Sequence, residues 1–64
     1  MMVYECLQRL MADKGLTQSQ MAKRLGISRT RMHNWYWGIN SISIENLRMI
    51  KGVLRCEWED LLGR

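Results

Sequence analysis

Proline and phenylalanine are absent from these 64 residues, glycine occurs five times and cysteine twice. Without proline, no helix interior loses an N–H donor or meets a clashing ring, so the chain is free to be helical throughout. Two cysteines are too few for a disulfide scaffold. Neither Cys6 nor Cys56 has a second cysteine or a histidine at metal-ligand spacing, so no metal is expected. Both read as buried reduced thiols, Cys6 among Val3, Leu7 and Leu10, Cys56 near Val53 and Trp58. The alternative is a disulfide joining the chain ends, which suits the cytosol poorly. No apolar run is long enough to span a bilayer, and no basic segment followed by an apolar one opens the chain. A cytoplasmic protein without membrane contact is therefore expected. No Ser–His–Asp set, carboxylate pair or glycine-rich phosphate loop is present, so the expectation is no catalytic residue, no cofactor and no small-molecule ligand. Apolar residues still make up 47% of the chain, enough to argue against disorder and for one modest core.

Acids are missing from the middle. Residues 1–13 carry a net charge of −1, residues 45–64 carry none, and residues 14–44 carry +5 with no acid among Lys14, Lys23, Arg24, Arg29 and Arg31. The whole excess of +4 thus sits in the centre, which points to a polyanion partner or, more blandly, to a solvated basic surface.

Hydrophobic spacing yields five helices. Val3, Leu7, Leu10 and Met11 share a face from about Val3 to Lys14, and Gly15 ends that helix. Thr17 with Gln20 reads as a capping box opening a second helix to about Leu25, ended by Gly26. Ser28 caps a third, through about Trp37 before Gly38. Ser43 caps a fourth, about Ile44 to Leu54, with Ile44, Leu47, Ile50 and Leu54 as its apolar face and Gly52 weakening it. A short fifth, about Glu57 to Leu62, carries Trp58, Leu61 and Leu62, with Glu57, Glu59 and Asp60 favoured at its start by the helix dipole. No strand pattern, repeat or linker divides the chain, so residues 1–64 read as a single domain.

The segment from Gln18 to Trp37 is the informative one. Gly26 suits a tight left-handed turn, and Ala22 is small where two helices would cross. Met21, Leu25, Ile27, Met32 and Trp35 supply apolar groups to lock that crossing. Together these features specify a helix-turn-helix. At 100° per residue, Ser28, Met32, Trp35 and Tyr36 point to one side of the third helix, and Thr30, His33, Asn34 and Trp37 to the other, flanked by Arg29 and Arg31. Hydroxyl, amide and guanidinium groups on that outer face suit base edges in a major groove, or they form an ordinary solvated face. The free N–H groups at the start of the second helix suit a phosphate. Lys14, Lys23 and Arg24 add charge that is either phosphate-directed or solvated.

The stretch LTQSQMAKRLGISRTRMHNWYWG, Leu16 to Gly38, resembles the core motif of the phage repressor/Cro-type helix-turn-helix family. Ser43–Leu47 and Trp58–Leu62 are similar to that family's fourth and fifth helices. The resemblance implies an all-α, compact five-helix lambda-repressor-like domain with the helix-turn-helix at helices 2 and 3. It implies a sequence-specific, Cro-like transcriptional repressor that binds an inverted-repeat operator in double-stranded DNA as a homodimer, with helix 28–37 in the major groove. It puts base-reading roles on Arg29, Thr30 and Asn34, with Arg31 a further contact, and a phosphate contact on Gln18; beside it, the basic side chains of Lys23 and Arg24 and the polar groups of Ser28, Asn40 and Ser41 are expected to meet phosphate as well. Met21, Ala22, Leu25, Gly26, Met32 and Trp35 form the core of the motif. The alternative is a protein-interaction module on the same fold, an antitoxin or co-regulator.

Three departures stand out. Many family members pair an arginine of the first helix with a glutamate late in the third; here those positions are Met11 and Tyr36, and a Met–aromatic contact is expected in place of the ion pair. The loop Ile39–Ile42 lacks the usual basic residues and proline, leaving backbone N–H groups, Asn40 and Ser41 to meet phosphate, and Ile39 and Ile42 to be buried or to join a dimer interface. Trp37 points outward, where it packs on DNA sugar-phosphate, meets a protein partner, or folds back onto Ile39 or Ile42. His33, the lone histidine, is a surface residue or a further contact to DNA or protein, not a ligand or base.

Overall fold

A computed structural model describes residues 2–63. Among them lie five helices and no strand: α1 (Val3–Lys14), α2 (Gln18–Leu25), α3 (Arg29–Tyr36), α4 (Ile44–Leu54) and α5 (Trp58–Leu62). Local chemistry sets most of the boundaries. The Met2 N–H donates to Glu5 Oε1 at 2.9 Å, holding the start of α1. Thr17 Oγ1 accepts from the Gln20 N–H at 3.1 Å while Gln20 Oε1 accepts from the Thr17 N–H at 2.9 Å, a reciprocal pair that satisfies two donors at the start of α2. The hydroxyls of Ser28 and Ser43 accept from Arg31 and Asn46 N–H groups at 3.1 and 3.3 Å. A serine or threonine cap of this kind contributes about 1 kcal/mol.

α1 is the hub, packing on α3, α4 and α5, while α2 packs on α3 and α4. Leu7, Met11, Met21, Met32, Ile50, Leu54 and Leu61 lose essentially all contact with solvent between these helices. With no phenylalanine in the chain, flexible methionine thioethers fill much of the space that aromatic rings usually take. Truncating any of the four buried aliphatic residues to alanine costs about 2–5 kcal/mol, through lost transfer energy and the cavity left behind. The radius of gyration is 10.3 Å, close to the roughly 10.7 Å expected for a folded chain of this length.

The structure refines the expected pattern at several places. Cys6 and Cys56 are both buried and free, so no disulfide joins the ends. Trp35 is buried in the core, whereas Trp58 is half-buried, with Lys51 Nζ 5.7 Å from its ring centroid. Ile44, expected on the buried face of α4, is 54% exposed; it occupies the first turn and overhangs the core that begins one turn later at Leu47. The third helix is Arg29–Tyr36 rather than 28–37, because Ser28 is its N-cap and Trp37 already leaves helical geometry. Gly38, at φ +71°, completes that ending: its N–H donates to the Trp35 carbonyl at 3.2 Å and the Ile39 N–H to the Asn34 carbonyl at 2.8 Å. The fifth helix starts at Trp58, with Glu57 as the capping residue.

Candidate nucleic-acid interface

The interface is built on α2, a tight turn and α3. Gly26 adopts φ +70°, and the Ile27 N–H returns to the Ala22 carbonyl at 3.0 Å, so the chain reverses within Gly26–Ser28. Met21, Ala22, Leu25, Met32 and Trp35 are all buried at or beneath this crossing. The small Ala22 side chain and the glycine turn permit the close approach that fixes α3 against α2. α3 itself has little intrinsic stability at eight residues, so this packing is what holds its outer face in place.

The outer face carries the residues that the 100° spacing assigns to it. Arg29, Thr30, Arg31, His33 and Trp37 are exposed, and Asn34 is half-buried. Ser28, expected on the inner side, is exposed, because it stands outside the helix as its cap. Trp37 does not bury itself against Ile39 or Ile42: it is 54% exposed and meets Tyr36 edge to face, with ring centroids 5.1 Å apart.

Gln18, Ser19, Arg29, Thr30 and His33 line one cleft of ≈360 Å³, where the N-terminus of α2 meets the outer side of α3. The Thr17–Gln20 capping pair occupies two of the N–H donors there. Those of Gln18 and Ser19, in the first turn, have no carbonyl four residues back within the helix to bond. The first turn of α2 and Arg29 thus border the same volume. The chemistry of that volume suits a phosphate oxygen with base edges alongside.

Other expected phosphate contacts lie elsewhere. Arg24 lines a separate cleft with Lys14, Leu16 and Arg55, near the C-terminal ends of α1, α2 and α4. Lys23 is exposed on the last turn of α2. Asn40 and Ser41 lie at the other end of α3, in a cleft they share with Met2, Tyr4, Trp35 and Ile39. The expected phosphate set is therefore spread over the molecule: Gln18 alone of its members lines the cleft with Arg29 and Thr30, and the other expected base contacts, Arg31 and Asn34, do not line that cleft.

Two residues of the structure have no counterpart among the sequence expectations. Ser19 belongs to the Gln18–Arg29 cleft, and its position beside Gln18 in the first turn of α2 is the available signal. Gln8 of α1 donates from Nε2 to the Tyr36 carbonyl at 2.7 Å, a part-buried bond across 28 residues. Met11 is buried and Tyr36 is partly buried against the same core, and the bond that ties α1 to the end of α3 is this neutral one from Gln8. The hint for Gln8 is an amide one helical turn before Met11 and next to Leu7, both core residues of α1.

Burial, and then the carboxylate of Asp60, pushes the Cys56 thiol above its ordinary range, which keeps it protonated and unreactive. No group of three or more histidine, cysteine or acidic side chains able to hold a metal ion occurs among the described residues. No helix among them is long and apolar enough to cross a membrane.

The family model of the Cro/C1-type HTH DNA-binding domain matches residues 6–64, from within α1 through α5. No curated protein and no solved structure matches the chain. With the match covering nearly the whole sequence and the α2–turn–α3 geometry in place, the chain belongs to the Cro/C1-type helix-turn-helix DNA-binding domains.

Proposed function

We propose that this chain is a sequence-specific transcriptional repressor that binds an inverted-repeat operator in double-stranded DNA as a homodimer, with α3 in the major groove. The observation that carries the reading is the cleft uniting Gln18 and Ser19 with Arg29, Thr30 and His33, inside a segment without acids. In this reading Arg29 and Arg31 pair with guanine, Asn34 with adenine, and Thr30 hydrogen-bonds or touches a thymine methyl. Gln18, Lys23, Arg24, Ser28, Asn40 and Ser41 hold backbone phosphates, and residues 1–64 act as one domain. The principal-axis extents of 28, 22 and 19 Å are of the same order as the roughly 34 Å between successive major grooves on one face of DNA. Occupancy of the operator in the cytoplasm would block polymerase, with no catalytic step, cofactor or small ligand required.

Selection from random duplex DNA at two salt concentrations tests this. An enriched inverted repeat, bound more weakly as salt rises, is the expected result. No enrichment at either salt would overturn it. The protein-interaction module would then be favoured, since Trp37 and Ile39 are exposed in a segment without charge.

A further inference from the structure

His33 is the one histidine of the chain, and it stands in the cleft with Gln18, Ser19, Arg29 and Thr30. Its side chain is exposed, and no hydrogen bond among the described residues engages its ring. Histidine is the side chain that ordinarily exchanges its proton between about pH 5 and 8. The charge beside it is of one sign. Arg29 stands one helical turn earlier on α3 and is the other ionisable group lining the cleft. From α2 the cleft receives the neutral Gln18 and Ser19, while Lys23 and Arg24 belong to that helix's last turn. α1, which also packs on α3, supplies none of the lining, and neither does α4. The acids Glu5, Asp13 and Glu45 thus lie outside it.

We infer that His33 meets a DNA phosphate as the imidazolium, so that this chain takes up a proton when it binds DNA and holds DNA more tightly as pH falls. This contact rests on the DNA-binding reading above and adds a titrating group to it. A proton on the ring sets a like charge one turn from Arg29, a spacing at which a helix disfavours it. A backbone phosphate in the cleft reverses that balance, because it attracts both cations and no carboxylate lines the cleft to compete. His33 also lies in the last turn of α3, whose dipole favours the charged ring with and without DNA and so cancels from the difference. The imidazolium brings two N–H donors where the neutral ring brings one. Whatever factor phosphate gives to the proton, the proton gives to phosphate.

The test is calorimetric titration of the chain with a duplex carrying the site enriched from random DNA. Two buffers of different ionisation enthalpy at about pH 6.5 count the protons taken up. A fraction of one proton is expected for wild type and none for His33→Gln. At fixed ionic strength, wild-type affinity is expected to fall about five-fold or more between roughly pH 5.5 and 7.5. His33→Gln should bind at the weaker level throughout, and His33→Arg should keep the acid-side affinity at the higher pH. The residue is exposed, so both variants are expected to retain the helical circular dichroism of wild type. Wild type that binds with salt-dependent affinity but takes up no proton overturns the contact and leaves the DNA reading standing. Proton uptake that persists in His33→Gln overturns the assignment to this ring. Absence of any enriched site overturns the DNA reading, and the contact with it.

Discussion

Gly38 and Gly26 share a left-handed backbone but differ in surroundings. A Cβ at Gly38 would lie 2.5 to 2.9 Å from three ring atoms of Tyr4, whereas one at Gly26 would meet nothing within 4 Å. Gly26→Ala therefore carries only the backbone cost of about 1 kcal/mol, while Gly38→Ala adds displacement of the ring, for a total of about 2–3 kcal/mol. Urea denaturation of the two variants measures the difference; equal losses would mean that Tyr4 swings aside freely. Cys56 gives a pH prediction. Its thiol is raised in the folded chain, by burial first and Asp60 second, so the unfolded chain releases this proton at lower pH. The stability it contributes is whole below the unfolded thiol's pKa and is lost as pH rises through the folded one. Thermal melts from neutral to alkaline pH should show a smaller alkaline decline in Cys56→Ala than in wild type, and parallel declines would refute the linkage.

Helix caps are legible in the sequence because they are local chemistry. Thr17, Ser28 and Ser43 each present a hydroxyl three residues before an N–H, and all three accept the bond that this spacing predicts. The end of α4 is not legible in the same way. Arg55 turns into the left-handed region at φ 53° with no glycine or asparagine to announce it, and only the packing of Leu54 and Cys56 on either side demands it. Ile44 departs from its expected burial for a related reason, since periodicity assigns a face but not how far the neighbouring helices extend along it. The outer residues of α3 follow from angle alone, because a short helix pinned by Met32 and Trp35 has one orientation. The separation of Arg24 and Asn40 from Gln18 depends on where whole helices end in space, and no local pattern encodes that. The Gln8–Tyr36 bond is likewise a tertiary fact. Gln8→Leu removes the donor to a part-buried carbonyl and should cost about 1–2 kcal/mol. The loss is expected to be the same in low and high salt, and a loss that shrinks with salt would point to charge elsewhere in the link.

At the scale of the whole molecule, the proposed function predicts that grip and reading separate. Asn34→Ala should relax preference at one base pair of the selected site, at about 1–3 kcal/mol. Lys23→Ala should weaken all duplexes alike and lower the salt slope by about one. Binding titrations over a panel of single-base variants distinguish the two, and a pair of variants that merely unfold would sink both roles. The acids are kept away from residues 14–44, with Glu59 and Asp60 on α5, which packs on α1, and Glu57 as its cap. The neutral tie between Gln8 and Tyr36 has a consequence for how such a molecule operates in a cell. A domain whose two halves are clamped by opposite charges would loosen under the same ionic conditions that strip it from DNA. Here the tie itself carries no charge, so the ionic strength that weakens contacts to phosphate does not screen it.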